Sequence, residues 1–238
     1  MTRRLHRLCP LLLRVLCTAC VLLLAGAPVR AATARADAEA LPPAPVLTIR
    51  RFALVVGAND GGHDRPVLRF ANSDARAMGA VLQGFGGVSQ ADLQVLQDPT
   101  PAELMEAIDA MSDRIRRARR GQHVQFVFYY SGHSDEQGLL LEGERVTYKD
   151  LRHKVQSVPA DVRIAVLDSC ASGAFTRTKG GTKRAPFLVS PAAEVKGHAF
   201  LTSSSMDEAA QESDRVGGSF FTHYFTTGLR GAADVDGD

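Results

Sequence analysis

Two short polar segments contain the residues best suited to nucleophilic catalysis. Ser131-Gly132-His133 follows the apolar run 124–130, and Asp168-Ser169-Cys170 follows the apolar run 162–167. A cysteine attacks a carbonyl as its thiolate, and a nearby imidazole can accept the thiol proton. Glycine and serine beside both residues allow backbone N–H groups to approach a bound carbonyl and stabilise its oxyanion. These residue types favour acyl transfer by a cysteine–histidine pair.

Cys170 is the only cysteine beyond residue 31, because Cys9, Cys17 and Cys20 all lie nearer the N-terminus. A single thiol forms no internal disulfide and offers no paired-ligand spacing for zinc. Taken alone, such a cysteine is commonly a buried and inert residue, and a lone histidine is commonly a surface group. Their occurrence after two apolar strands is what favours the catalytic interpretation over these two alternatives.

Alternating strands and helices must position both residues. Short apolar runs predict strands at 52–57, 93–96, 124–130, 139–141, 162–167 and 199–202, and helical spacing or capping signals predict helices at 72–82, 101–121, 147–155 and 220–229. This alternation, with central strands apolar on both faces, predicts an α/β fold with a mostly parallel sheet. Ligands bind at the carboxyl ends of such strands, so His133 and Cys170 are expected at one edge of the sheet.

The N-terminus has the layout of a secretory signal peptide. Residues 1–7 are basic, residues 11–27 are mostly apolar, and small residues precede a cleavage site expected between Ala31 and Ala32. Arg14 interrupts the apolar run, which favours a cleaved leader over an uncleaved membrane anchor. Residues 32–50 are rich in alanine and proline and are interpreted as a linker. The protein is therefore expected to be exported, to the periplasm or outside the cell.

The charge of the chain is unevenly distributed. The formal net charge is +2, but residues 1–31 hold five of the 28 basic residues and no acidic one. The remaining chain has 23 basic and 26 acidic residues, a charge of −3. This balance gives no reason to expect a nucleic acid partner. No stable membrane embedding is expected once the leader is removed.

Several ordered motifs resemble the caspase-like cysteine peptidases. The segment 126–133 (FVFYYSGH) resembles their catalytic histidine motif, and the segment 166–173 (VLDSCASG) resembles their catalytic cysteine motif in the metacaspase and bacterial form. The segments 52–59, 68–74 and 219–222 also fit. The resemblance extends over residues 51–238, which are interpreted as one peptidase domain.

The resemblance implies a caspase-like sheet of about six strands with helices on both faces. It implies peptide-bond hydrolysis through an acyl-enzyme, with Cys170 as the nucleophile and His133 as the general base and acid. Gly132 and Cys170 would donate backbone N–H groups to the oxyanion. No metal or other cofactor is required for this chemistry.

The resemblance also suggests which substrates are cleaved. Animal caspases select aspartate with a basic pocket, whereas metacaspases place carboxylates there, at positions that correspond to Asp74 and Asp168, with Ser131 beside them. Two carboxylates in one pocket repel each other, and a bound guanidinium or ammonium relieves that repulsion. The expected substrates are polypeptides cut after Arg or Lys. The alternatives are a helix N-terminal role for Asp74 and a turn role for Asp168.

A basic segment follows the candidate nucleophile. Residues 176–184 contain Arg177, Lys179, Lys183 and Arg184 together with two glycines. An enzyme that cleaves after basic residues could process itself there, and the alternative is an ordinary solvated loop.

Three features depart from the family pattern or leave it open. Ser134 follows His133 where many relatives have glycine, and Ala71 stands where some metacaspases have a second cysteine. Residues 234–238 resemble the start of a calcium loop but lack its bidentate glutamate, so calcium activation has no support in the sequence. The chain stops directly after the helix that begins at Phe220, which is consistent with a domain truncated before its last strand.

Two other functions compete with the peptidase. A catalytically weak caspase-like module that binds a partner is the main alternative, because an exported thiol is exposed to oxidation. The intact His133 and Cys170 favour the enzyme over this module. An α/β-hydrolase esterase is disfavoured because the chain lacks a G-x-S-x-G motif.

Overall fold

The computed structural model describes residues 48–119, 121–170, 197–203 and 211–234. The leader, all but the end of the linker, the basic segment 176–184 and residues 235–238 lie outside these ranges. Within the described residues, no helix is both long and apolar enough to cross a membrane.

Nine strands form one large sheet and two small hairpins in the described part of the chain. The strands are β1 (Ile49–Ala58), β2 (Val88–Gln97), β3 (His123–Gly132), β4 (Gly138–Leu141), β5 (Glu144–Thr147), β6 (Val162–Asp168), β7 (Gly197–Thr202), β8 (Glu212–Ser213) and β9 (Gly218–Ser219). The large sheet has the order β2-β1-β3-β6-β7, and all its neighbouring strands are parallel. Strands β4 and β5 form one antiparallel hairpin, and β8 and β9 form the other.

Four α-helices accompany these strands. They are α1 (Ala71–Gly84), α2 (Pro101–Ala118), α3 (Tyr148–Ser157) and α4 (Phe220–Thr227), and a π-helical turn (Gly228–Ala232) follows α4. Helix α2 begins as its sequence predicts, because Thr100 and Glu103 form a reciprocal capping box before Pro101. Thr147 and Ser219 cap α3 and α4 without a reciprocal bond, each with a side-chain oxygen that accepts a backbone N–H.

Helices cover both faces of the sheet. On one face, α2 and α3 pack against a core that includes Phe52, Phe126 and Leu167. On the other face, α1 packs against Val55, Tyr129 and Val166, and α4 contributes two partly buried phenylalanines. The α/β fold with a parallel sheet is therefore confirmed, and in the described residues the large sheet has five strands where about six were expected.

The strand order determines where a site can form. From β1 the chain crosses first to β2 on one side and then to β3 on the other, so the connections diverge between β1 and β3. In open parallel sheets this switch point leaves a crevice at the carboxyl ends of the strands. Here that edge holds the ends of β1, β3 and β6, which are Ala58, Gly132 and Asp168.

Candidate active site

His133 and Cys170 emerge from neighbouring strand ends. Strands β3 and β6 are parallel and in register, with Ser131 opposite Asp168. His133 and Cys170 each follow that pair by two residues, so the expected placement at one edge of the sheet is confirmed. The two loops are also joined directly, because the hydroxyl of Ser134 donates to the backbone carbonyl of Cys170.

The imidazole of His133 is buried and held by one backbone carbonyl. Only 6% of the residue is exposed, and its Nε2 atom lies 2.8 Å from the carbonyl oxygen of Pro66. A carbonyl oxygen can only accept a hydrogen bond, so this contact places the proton of a neutral imidazole on Nε2. Nδ1 is then left with its lone pair, which is the form that a general base requires.

The loop that contains Pro66 packs closely over this imidazole. A Cβ atom built on Gly61 would lie 2.4 Å from His133 Cδ2 and 2.5 Å from Cγ, so no other residue fits beside the ring without displacing it. The β4–β5 hairpin supports the loop from outside, because Glu142 N donates to the carbonyl of Asp60 at 3.1 Å. The His133 ring is therefore fixed by a hydrogen bond to the Pro66 carbonyl and by close packing against Gly61.

Cys170 is a partly exposed free thiol at the end of a buried segment. Ser169, directly before it, is completely buried. The N–H of Ser169 donates to the hydroxyl oxygen of Ser203 at 3.0 Å, and Ser203 N donates to the carbonyl of Leu167 at 2.9 Å. The backbone before the thiol is therefore fixed by the segment that follows β7.

Asp74 and Asp168 lie together under this edge of the sheet. Both are buried, with 4% and 2% of each residue exposed. Ser219 bridges them: its N–H donates to the Asp74 carboxylate at 3.2 Å, and its hydroxyl donates to Asp168. Ser131 donates to Asp74 at 3.2 Å, and Thr222 donates to Asp168 at 2.6 Å. The three residues predicted for the substrate pocket are thus brought together.

The buried carboxyls are harder to ionise than ordinary ones. Burial, together with the nearby Asp168 and against the hydrogen bonds from Ser219 and Ser131, raises the pKa of Asp74 to about 7. Burial also raises the pKa of Asp168, although the hydroxyls of Ser219 and Thr222 oppose the shift. A cation bound between the two carboxyls would favour their ionised forms.

Gly132 is poorly placed for the oxyanion role that the resemblance implies. The carbonyl of Val124 accepts the N–H of Asp161, the residue before β6, at 2.8 Å. The backbone polar groups of Val124 therefore point toward β6. The register from β3 to β6 is unbroken up to Ser131, so every second residue, including Gly132, directs its N–H to β6. Glycine is needed there for a different reason, since a Cβ atom would lie 2.4 Å from the hydroxyl oxygen of Tyr130.

The pairing of Ser134 with the β4–β5 hairpin determines where its backbone N–H points. Ser134 faces Leu139 of β4 in an isolated antiparallel bridge. The two hydrogen bonds of that bridge come from its neighbours: Leu140 N donates to His133 O at 2.9 Å, and Asp135 N donates to Gly138 O at 3.0 Å. The Ser134 N–H therefore points away from the hairpin.

Comparison with protein-family models decides the family. The model described as the caspase domain matches residues 50–236, most of the chain and nearly all of the elements described above. This chain belongs to the caspase-domain family. A search of curated proteins found no match. The family is one of cysteine peptidases, which agrees with a cysteine hydrolase built on this sheet.

The caspase domain also contains functional candidates that the sequence did not single out. Glu212 accepts the N–H groups of Arg69 and Phe70, both at 3.0 Å, and so ties the β8–β9 hairpin to the start of α1, near Asp74. Ser219 and Thr222 belong to a segment that resembles the family, but their contacts with the carboxyls were not predicted. Their only local signal is the capping pattern of α4, in which Ser219 accepts the N–H of Thr222.

No cluster of three or more potential metal ligands occurs in the described part of the caspase domain. The Asp74 carboxylate and Asp168 Oδ2 accept hydrogen bonds from serine and threonine hydroxyls and from a backbone N–H, whereas Asp168 Oδ1 is buried and accepts none from the described residues.

Proposed function

We propose that this chain is a cysteine endopeptidase of the metacaspase type that cleaves polypeptides after Arg or Lys. Cys170 is the nucleophile and His133 is the general base and acid. The observation that carries the proposal is the buried pair Asp74 and Asp168: Asp168 ends β6, two residues before Cys170, and Asp74 contacts Ser131, two residues before His133. A basic pocket, as in animal caspases, would need cations at this place.

The first half of the reaction begins with proton transfer. Nδ1 of His133 accepts the proton of the Cys170 thiol, because Nε2 is occupied by the Pro66 carbonyl. The thiolate attacks the scissile carbonyl and forms a carbon–sulfur bond. The imidazolium then returns its proton to the departing amine, which leaves an acyl-enzyme.

The second half releases the acid. Water gives a proton to His133 and attacks the thioester, and the thiol of Cys170 recovers its proton as the acyl group leaves. Each tetrahedral intermediate carries a negative charge on oxygen. The backbone N–H groups of Cys170 and Ser134 are the donors we propose for it, and one such donor contributes about 3–4 kcal/mol where it has been measured.

The carboxyl pair explains the preference for basic residues. In the absence of substrate, burial and mutual repulsion keep at least one carboxyl partly protonated near neutral pH. A guanidinium or ammonium restores the charge balance and donates hydrogen bonds of the charge-assisted kind. An aspartate side chain would add a third carboxyl to a buried acidic site, which costs energy.

The proposed location of the enzyme depends on its N-terminal leader. We propose that residues 1–31 direct export and are removed, so that the enzyme acts on polypeptides in the periplasm or outside the cell. Calcium is not part of the proposed chemistry, and its effect is measured in the assay below.

Paired fluorogenic peptides test this function. The full chain and its Cys170→Ala and His133→Ala variants are assayed under reducing conditions, with and without calcium, on peptides that differ only in Arg, Lys or Asp before the cut. We expect turnover of the Arg and Lys peptides by the unmodified chain only. Turnover after Asp would contradict the acidic pocket, and equal turnover by Cys170→Ala would contradict the nucleophile.

A further inference from the structure

Ser134 links the two halves of the candidate dyad. It directly follows His133, and its hydroxyl donates to the carbonyl of Cys170, which is 36 residues further along the chain. Only 1% of Ser134 is exposed. A hydrogen bond shielded from water in this way is costly to lose, since it leaves a carbonyl oxygen without its donor.

The backbone of Ser134 is held rigidly by the β4–β5 hairpin. Its bridge to Leu139 is flanked by the hydrogen bonds of His133 and Asp135 to the hairpin. In addition, the hydroxyl of Tyr130 donates to the carbonyl of His133 at 2.7 Å. The Ser134 hydroxyl is therefore presented to Cys170 from a fixed backbone, which is what a positioning group needs.

The hydroxyl of Tyr148 lies near the contact between Ser134 and Cys170. Burial raises the pKa of Tyr148, at the start of α3, and the nearby hydroxyls of Ser134 and Ser169 oppose this shift. Tyr148 is itself buried, with 6% exposed. Of these three hydroxyls, that of Ser134 contacts the backbone of Cys170 directly, and those of Tyr148 and Ser169 lie nearby.

We propose that Ser134 is a positioning residue for the nucleophile: its hydroxyl holds the carbonyl of Cys170 so that the thiol stays directed at His133. The inference rests on the proposed peptidase function. A hydrogen bond to the carbonyl of Cys170 limits rotation about its Cα–C bond, and the thiol branches from that same Cα. A glycine at position 134 would supply no such hydroxyl.

Alkylation of Cys170 tests this without any substrate. The full chain is treated with iodoacetamide from pH 5 to 9, and the modified fraction of the tryptic peptide 164–177 is followed by mass spectrometry, so that the leader cysteines do not contribute. We expect Ser134→Ala to slow alkylation at pH 7 about tenfold, the scale of one hydrogen bond, and to move the rate curve to higher pH. Ser134→Thr keeps the hydroxyl and should stay within about threefold of the unmodified chain.

Ser112 provides the matched control. It is a buried serine in α2 whose hydroxyl also donates to a backbone carbonyl, that of Ile108, at 2.9 Å. Ser112→Ala also removes a buried hydroxyl that donates to a backbone carbonyl, and it should leave the alkylation curve unchanged. If Ser134→Ala gives the same curve as Ser112→Ala, the positioning role is wrong.

Peptide turnover separates this inference from the proposed function. With an active enzyme, Ser134→Ala should lower kcat about tenfold and leave KM within about twofold, because the acidic pocket is untouched. If the unmodified chain cleaves no peptide but Ser134→Ala still alters the alkylation curve, the peptidase proposal fails and the positioning role stands. A rise in KM at constant kcat would overturn the positioning role.

Discussion

At the scale of single residues, the ionisation of Asp74 controls what the candidate pocket can bind. Burial, together with the neighbouring Asp168, raises its pKa to about 7, whereas an exposed aspartate would be fully ionised there. The protonated acid is neutral and has little attraction for a guanidinium. Binding of an arginine side chain should therefore require loss of this proton.

The first prediction is that arginine binding tightens as the pH rises. Between pH 6 and pH 8, a group with a pKa near 7 goes from about one-tenth to about nine-tenths ionised, so the Kd should fall about tenfold. Fluorescence anisotropy of a labelled arginyl peptide on the Cys170→Ala variant measures this without turnover.

Two controls identify the titrating group. A peptide with citrulline in place of arginine has nearly the same shape but no charge, and its weak binding should not depend on pH. Asp74→Asn should bind the arginyl peptide weakly at every pH. If Asp74→Asn keeps the tenfold change, the titration belongs to another group and the role of Asp74 is wrong.

At the scale of elements, close packing around two glycines shapes the site. Gly61 touches the His133 ring, and a Cβ atom on Gly218 in β9 would lie 2.5 Å from Asp74 Oδ1. Neither glycine has a left-handed backbone, so an alanine there is excluded by its neighbours rather than by its own conformation. Gly61 therefore lies beside the candidate general base, and Gly218 lies beside a carboxyl of the candidate substrate pocket.

The second prediction separates these two parts. Gly61→Ala should displace the imidazole and lower kcat at least about tenfold with little change in KM, because misplaced catalytic groups lose rate steeply. Steady-state kinetics on an arginyl peptide measures it, and Gly218→Ala should instead raise KM. A Cβ atom on Gly84, at the end of α1, would meet nothing within 4 Å, so Gly84→Ala is the control and should change neither constant. Equal losses of kcat in Gly61→Ala and Gly84→Ala would contradict the role of the loop.

The sequence predicted the elements better than it predicted these contacts. The apolar runs before His133 and Cys170 were strong enough to predict parallel strands, and parallel strands in register bring their ends together. The capping box of α2 was equally clear, since all its signals are local. Asp74 and Asp168 were connected only through the family resemblance.

Three other features that were missed have no local signal. Pro66 acts through its backbone carbonyl, which any residue possesses, and lies 67 residues before His133. Glu212 reaches Arg69 across 143 residues. Gly132 was given an oxyanion role through the family resemblance, but the direction of its N–H depends on the register of β3 with β6. These facts depend on tertiary packing, and a pattern of residue types does not contain them.

At the scale of the whole molecule, the substrate preference has a consequence for the chain itself. The segment 176–184, which lies outside the described residues, contains four basic residues shortly after Cys170. An enzyme that cleaves after Arg or Lys has suitable bonds there.

The third prediction is autoprocessing within this segment. Incubation of the active chain under reducing conditions should produce new N-termini at residues 178, 180, 184 or 185, identified by N-terminal sequencing or intact mass. Cys170→Ala should stay intact, and so should a variant with glutamine at positions 177, 179, 183 and 184. A chain that turns over arginyl peptides but remains whole would contradict the prediction. Adding the active chain to Cys170→Ala shows whether cleavage occurs between molecules.

One labelling measurement tests the central claim, that Cys170 attacks substrates selected by an acidic pocket. Two peptidyl fluoromethyl ketones, identical except for Arg or Asp at the reactive end, are incubated with the full chain, and the modified residue is located by mass spectrometry of the peptide 164–177. We predict rapid modification of Cys170 by the arginyl reagent, at least about tenfold faster than by the aspartyl one, as expected for one lost charge-assisted contact. Faster modification by the aspartyl reagent, or modification of a residue other than Cys170, would contradict the claim.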